Sequence, residues 1–280
     1  MQDGRVSVAA GTEVLDELRS LVHSGAVIVL SGAGLSTESG IPDYRGPTGA
    51  LRRHAPMTYQ AFVADPVARH RYWARSYVGW HQIASARPNG GHLAVAALQR
   101  GGLLDAVITQ NVDGLHQAAG ASDVIELHGG LDRVVCLRCG TRESRAAMDA
   151  RLRRANPDFD AHVSAINADG DVELADDELR GFTMVACIEC ASDLVKPDVV
   201  FFGENVPRAR VERCFALVES ARALLVLGSS LTVMSGLRFV RRAAVLAKPL
   251  AIVNQGPTRG DDLATLRVDA PLGVVLPALV

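Results

Sequence analysis

"AVIVLSGAGLSTESGIP", at residues 26–42, begins as an unbroken apolar run and ends in glycine and polar residues. An apolar run without alternation is the form of a strand covered on both faces, as in a parallel sheet between layers of helices. Gly32 and Gly34 let the backbone come close to a pyrophosphate. A helix opening just beyond them would add N–H donors and the positive end of a dipole. The dinucleotide fingerprint is incomplete, because Thr37 stands at its third glycine. No acid follows at the end of a second strand about twenty residues on. The pattern supports a nucleotide-binding turn more than a hydride-transferring dehydrogenase, and a plain tight turn stays open.

Outward from that strand the same rhythm repeats. Before it, "TEVLDELRSLVHSG" (12–25) sets Val14, Leu15, Leu18, Leu21 and Val22 on one helical face, with Thr12 as a candidate cap and Gly25 as a stop. After it come "LLDAVIT" (103–109), "DVIEL" (123–127), "PDVVFF" (197–202), "ALLVLG" (223–228) and "PLAIVN" (249–254). Helical patterns such as "RARVERCFALVESA" (208–221) lie between several of them. The alternation predicts an α/β fold built on a doubly wound parallel Rossmann-like sheet. Two stretches break it. Residues 48–90 hold both tryptophans and no clear strand, and read as a helical insert; residues 133–194 carry two C-x-x-C pairs and read as a zinc-ribbon insert. The expected division gives 1–47, 91–132 and 195–280 to the sheet domain, with the two inserts forming a smaller module.

The bulk numbers narrow the function classes. A chain of 280 residues, 48% hydrophobic, has material for one large domain carrying a small one. A net charge of −2 offers no electrostatic grip on nucleic acid, and no polybasic run marks a membrane surface. The N-terminus lacks a signal-peptide core and no apolar run is long enough to span a bilayer. These features predict a soluble cytoplasmic protein; oligomeric state is not legible.

In doubly wound sheets ligands bind beyond the C-terminal ends of the strands. "VITQNVDGLHQ" (107–117) puts Gln110, Asn111 and Asp113 at one such end. "VIELHGG" (124–130) puts His128 at another, where a neutral imidazole can act as general base near pH 7. "KPDVVFFGE" (196–204), "LGSSLTVMSG" (227–236) and "IVNQGPT" (252–258) also finish in small or polar residues, and Ser229, Ser230, Asn254 and Gln255 could bond a ribose or phosphate. Cys136-x-x-Cys139 and Cys187-x-x-Cys190 make two metal knuckles, and four thiolates close a tetrahedral structural zinc site. Disulfides and a redox C-x-x-C suit an intracellular chain with two pairs less well. The second knuckle, "CIECAS", lacks the glycine that often follows the last cysteine, so its turn geometry is open. Cys214, on a helical pattern, reads as a core residue.

Taken in order, "GAGLS", "GIPDYRG", "TQNVDGLH", "ELHG", the two C-x-x-C pairs, "KPDVVFFGE", "GSSLTV" and "NQGPT" make the chain resemble the sirtuin family of NAD-dependent protein deacylases. Within it the chain most resembles class II, the branch that includes a mitochondrial sirtuin, through "RYWARSYVGW" (71–80), "ADGDVELADDELRGF" (168–182) and "GPTRGDDLA" (256–264). The resemblance implies that Gly32, Ala33, Gly34, Ser36 and Thr37 cradle the NAD pyrophosphate and adjacent ribose. Asp43 and Asn111 would hold the nicotinamide end, with Tyr44 and Arg45 on a covering loop. Many relatives carry Phe where Tyr44 stands. Gln110 and Asp113 would order the nicotinamide ribose and a water. Gly228, Ser229, Ser230, Asn254, Gln255 and Gly256 would bind the adenosine half, near Leu272. Val200, Phe201, Phe202, Gly203 and Glu204 would pair with substrate backbone as an added strand.

The implied reaction consumes NAD as a co-substrate. The acyl oxygen of a modified lysine attacks the ribose, nicotinamide leaves, and His128 deprotonates a ribose hydroxyl that closes onto the acyl carbon. Hydrolysis then yields free lysine and O-acyl-ADP-ribose. The implied partner is an acylated-lysine protein or peptide, with no direct nucleic acid or membrane. Sirtuins that prefer acidic acyls carry a Tyr and an Arg three residues apart after "DYRG". Here "GALRRHAP" (49–56) offers Arg52 and Arg53 without that Tyr, and a branched or longer acyl ranks ahead of acetyl. The alternatives are a mono-ADP-ribosyltransferase using the same pocket, a non-catalytic NAD-sensing module, and a dehydrogenase.

Overall fold

The computed structural model describes residues 11–44, 56–159, 172, 174 and 178–280. In chain order its strands are β1 (Val27–Ser31), β2 (Leu104–Thr109), β3 (Val124–Glu126), β4 (Gly129–Cys136), β5 (Arg142–Ser144), β6 (Val195–Val199), β7 (Ala223–Leu227), β8 (Leu250–Val253) and β9 (Leu266–Val268). Its helices are α1 (Thr12–His23), α2 (Tyr59–Ala64), α3 (Pro66–Ser85), α4 (Gly90–Arg100), α5 (Leu115–Ala118), α6 (Arg145–Ala155), α7 (Arg208–Ser220), α8 (Met234–Val245) and α9 (Leu272–Val275). No helix among the described residues is long and apolar enough to cross a membrane.

The large sheet runs β3-β2-β1-β7-β8-β9 with every pairing parallel. All five residues of β1 are buried, as an apolar run without alternation requires. Successive side chains leave a strand on opposite faces. Val27 and Val29 therefore pack with Leu18 and Val22 of α1, Val95 and Leu98 of α4, and Val275 of α9. Ile28 and Leu30 pack with Cys214 and Val218 of α7 and with Phe239 and Val240 of α8. The strand order reverses around β1: the chain builds outward to β2 and β3, then returns to β7 on the other side. A crevice opens at such a reversal.

Three expectations are corrected. "PDVVFF" does not join the parallel sheet; β6 pairs antiparallel with β4 in a separate sheet ordered β5-β4-β6. Only Pro197–Val199 of that run falls in β6, and the burial of a strand says nothing about the direction of its neighbour. Thr12 is the first residue of α1 rather than its cap, and Gly11 caps it without a side-chain bond. After Gly32 the chain forms short 3-10 turns at Ala33–Leu35 and Thr37–Ser39 rather than an α-helix.

A second core joins both inserts. Phe62, Tyr72 and Trp73 pack with Met148, Leu152, Phe182, Cys136 and Cys187. Arg145 is fully buried there, its guanidinium 5.0 Å from the Trp73 ring and 5.1 Å from the Trp80 ring. It donates to the Ser76 hydroxyl at 2.9 Å and the Ser76 carbonyl at 2.8 Å, tying α6 to α3.

Candidate active site and metal centre

A cavity of about 1020 Å³ opens over the C-terminal ends of β1, β2, β7 and β8. Gly32, Ala33 and Gly34 form one wall against Gly228. A Cβ on Gly34 would lie 2.9 Å from the Gly228 carbonyl oxygen, and one on Gly228 would lie 2.5 Å from the Leu35 nitrogen. The N–H groups of Gly32 and Gly34 donate to the carbonyls of Leu227 and Gly228, each at 2.9 Å. These glycines thus lock two strand-end loops together, and the floor they make is backbone rather than side chain.

Gln110 leaves the end of β2 and donates through Nε2 to the Ser229 hydroxyl at 2.9 Å. Asn111 donates to the Gly32 carbonyl at 3.1 Å and to the Ser36 hydroxyl at 3.0 Å. Ser36 in turn donates to the Asp113 carboxylate at 2.6 Å, which also accepts the Leu115 N–H at 2.9 Å. Burial pushes the Asp113 carboxyl up from its ordinary value, against those two hydrogen bonds. Asp43, Tyr44, Gln110 and Asn111 line the cavity, whereas Ser36, Thr37, Asp113 and Leu272 stand behind its wall. Arg45, Arg52 and Arg53 lie outside the described residues.

His128 follows β3 and reaches the cavity beside Gln110. Its Nδ1 is 2.9 Å from the Gln110 carbonyl oxygen, and its Nε2 is 2.8 Å from the Ser235 hydroxyl. A carbonyl only accepts, so the neutral ring carries its hydrogen on Nδ1 and keeps the Nε2 lone pair for a donor. Burial lowers the His128 pKa, the Gln110 bond opposes this, and the Arg210 and Arg238 cations lower it further. Gly129 has φ +82 and runs so close to β6 that a Cβ would sit 1.9 Å from the Asp198 carbonyl oxygen. That crossing fixes where His128 stands.

Residues 200–204 form the facing wall. The Val200 N–H donates to the His128 carbonyl at 2.7 Å and the Tyr59 N–H to the Phe202 carbonyl at 2.9 Å, so part of this edge is already paired. Glu204 accepts the Phe201 N–H at 2.9 Å and the Lys196 ammonium at 3.0 Å. Lys196 is buried, donates also to the Val199 carbonyl, and lies 4.7 Å from the Phe201 ring centre. Ser230, Asn254, Gln255 and Gly256 line the far end, where Asn254 donates to the Gln255 and Gly256 carbonyls. The structure adds Met57, Thr232, Ser235, Arg238 and Asp269 to the lining. Asp269 follows the "LRV" of β9 and accepts the Gly256 N–H at 3.1 Å; a strand-end acid was the signal available for it.

The four knuckle sulfurs all lie within 4.8 Å of one another, apart from the cavity lining. Cys136 and Cys190, and Cys139 and Cys187, are 3.6 Å apart. A tetrahedron with zinc–sulfur bonds of about 2.3 Å has edges of about 3.8 Å, so the thiols fit a zinc ion and no pair is a disulfide. The knuckles repeat one backbone pattern: Gly140 and Ala191 donate to the carbonyls of Cys136 and Cys187 at 2.9 and 3.1 Å. Both sit in the left-handed region, Gly140 at φ 78 and Ala191 at φ 54, so an alanine takes the turn that a glycine would take unstrained.

The sequence profile of the Sir2 family matches residues 32–235. A curated NAD-dependent protein deacetylase of Streptomyces coelicolor is 59% identical over 266 residues, covering 95% of this chain and 89% of the relative. One from Mycobacterium avium is 48% identical and covers 94% and 93%. A solved Sir2 with p53 peptide and NAD+ superposes with a TM-score of 0.74 at 32% identity, covering 94% of this chain and 95% of the other. A match that runs through the glycine wall, the strand-end histidine and both cysteine knuckles is a match to the whole architecture, and the chain belongs to the Sir2 family.

Proposed function

We propose that the chain is an NAD-dependent protein-lysine deacylase with His128 as its general base. The observation that carries the reading is the imidazole itself: Nδ1 is committed to the Gln110 carbonyl, so Nε2 stands at the cavity without a hydrogen, its lone pair accepting from the Ser235 hydroxyl. Relatives of up to 59% identity named as NAD-dependent protein deacetylases support it. When bound, NAD supplies the ribose that receives the acyl oxygen and the ribose hydroxyl that takes over the acyl group. Gln110 and Asn111 would position that ribose and the nicotinamide amide, with Asp43 and Tyr44 over them. Ser229, Ser230, Asn254, Gln255 and Gly256 would hold the adenosine half. Ser36, Thr37, Asp113 and Leu272 would act from behind the wall, and Arg45 would complete the covering loop. The substrate chain would lie along residues 200–204, through groups there that the protein has not already paired.

Zinc at Cys136, Cys139, Cys187 and Cys190 is assigned a structural role, because four thiolates leave no open coordination position. We also propose a division into a sheet domain (1–47, 91–132, 195–280) and a module of two inserts (48–90, 133–194), supported by the core that joins the inserts, in which Leu131, Val195 and Val199 of the flanking segments also pack. We further place the chain in class II, on the stretches 71–80, 168–182 and 256–264, and expect a branched or longer acyl to be preferred to acetyl. Mass spectrometry of the protein with NAD and a panel of acyl-lysine peptides tests these assignments. Deacylated peptide matched by O-acyl-ADP-ribose is expected, and the fastest acyl names the specificity. ADP-ribosylated protein without deacylation would overturn the reading.

A further inference from the structure

His128 meets a hydroxyl that the reaction above leaves unused. Ser235 is the second residue of α8, is buried, and lines the cavity with its Oγ 2.8 Å from Nε2. A serine at the start of a helix ordinarily caps it. Here the cap position is Val233, with no side-chain cap bond, and the Ser235 hydroxyl is aimed at the imidazole instead. Gly236 lets α8 approach that closely, since a Cβ there would lie 2.5 Å from the Gln110 side-chain oxygen.

We propose that Ser235 is a positioning residue for His128, holding Nε2 toward the ribose hydroxyl and accepting the Nε2 hydrogen once the ring is charged. The idea rests on the deacylase reading. In the resting protein the hydroxyl donates to the Nε2 lone pair. As substrate arrives the ribose hydroxyl takes that lone pair and the serine hydrogen turns away. The ribose O–H bond then breaks, its proton forms an N–H bond at Nε2, the oxygen's electron pair forms a bond to the acyl carbon, and that carbon's C=N π pair shifts onto the lysine nitrogen. The resulting imidazolium donates from Nδ1 to the Gln110 carbonyl and from Nε2 to Ser235 Oγ. A hydroxyl serves both protonation states because it donates and accepts. That acceptor matters beside Arg210 and Arg238, whose charges oppose an imidazolium.

In the proposed reaction nicotinamide leaves before His128 takes a proton, which separates the two halves experimentally. Exchange of labelled nicotinamide into NAD and formation of O-acyl-ADP-ribose are measured for wild type, S235A, S235T and S235C, with melting curves as a control. S235A is expected to lower product formation about tenfold while exchange and the KM for NAD stay within about twofold. S235T, which keeps the hydroxyl, should restore most of the product rate. S235C, nearly isosteric but a weak donor and acceptor, should fall between. A wild-type ratio of product to exchange in S235A overturns the proposal. So does an equal fall in both rates, which marks a residue that only shapes the pocket. A wild type that exchanges nicotinamide but yields no O-acyl-ADP-ribose from any peptide overturns the deacylase reading and the proposal with it.

Discussion

The imidazole of His128 can act as a base because burial and two arginines keep it neutral. Its pKa lies below the ordinary histidine value, so the deacylation rate should rise with pH through that lowered value and be level by pH 7. An acid limb centred above the ordinary value of about 6.5 would contradict this. His128→Ala should keep its fold and its nicotinamide exchange while product formation falls at least about a hundredfold. Wild-type turnover in that variant would remove the general-base role. Two other histidines carry stability instead. His92 and His116 are buried with ring centres 5.2 Å apart, and burial lowers their pKa values to about 4 and about 3. The unfolded chain binds more protons than the folded one between those values and about 6.5, so their contribution is whole above pH 6.5 and is lost as pH falls through that window. The loss is on the order of a few kcal/mol. Urea midpoints measured from pH 7.5 to pH 4 should drop steeply in wild type and less in His116→Asn. Parallel slopes would assign the acid sensitivity elsewhere.

At the scale of elements, the sheet was legible because its strands are short apolar runs set between amphipathic helices, and β1, β2, β7 and β8 lie where those runs lie. What pattern does not carry is a partner. Only Pro197–Val199 of the "PDVVFF" run lies in β6, whose sequence is VKPDV, and its hydrogen bonds go to β4, which meets it at Gly129 and again at Val134–Cys136. The strand-end residues Gln110, Asn111 and His128 were legible because polar groups at the end of a buried strand have no packing role. Ser235 was not, since a hydroxyl at the start of a helix reads as a cap whichever way it points. Two substitutions probe these turns. Gly129→Ala demands both a left-handed alanine and room that the Asp198 carbonyl occupies, and should cost at least about 2 kcal/mol in urea unfolding. Ala191→Gly relieves a left-handed alanine in the second knuckle. It should stabilise the folded protein by about 0.5–1 kcal/mol, the relief exceeding the added freedom of the unfolded chain. A lower midpoint for Ala191→Gly would show that the turn is not strained.

Across the whole molecule there are three cores: one on each face of the large sheet, and a third that gathers α3, α6 and the cysteine knuckles. Arg145 couples α6 to α3 through Ser76, and both pack in one core with Cys136 and Cys187, so loosening the knuckles should also loosen these two helices. Stripping zinc with a strong chelator should abolish the cooperative melting of that module, because small cysteine sites draw on the order of 10–16 kcal/mol of apparent binding free energy from their metal. An unchanged melting curve after confirmed metal loss would contradict the structural role. The placement of Lys196 has a wider consequence. The chain has only two lysines, Lys196 and Lys248. The first is enclosed by the Val199 carbonyl, Glu204 and the Phe201 ring, and the second is half-buried with its ammonium on the Ala221 carbonyl. A chain whose two lysines are both tied to backbone carbonyls thus presents almost no free amine side chain to acylating agents such as thioesters and acyl phosphates.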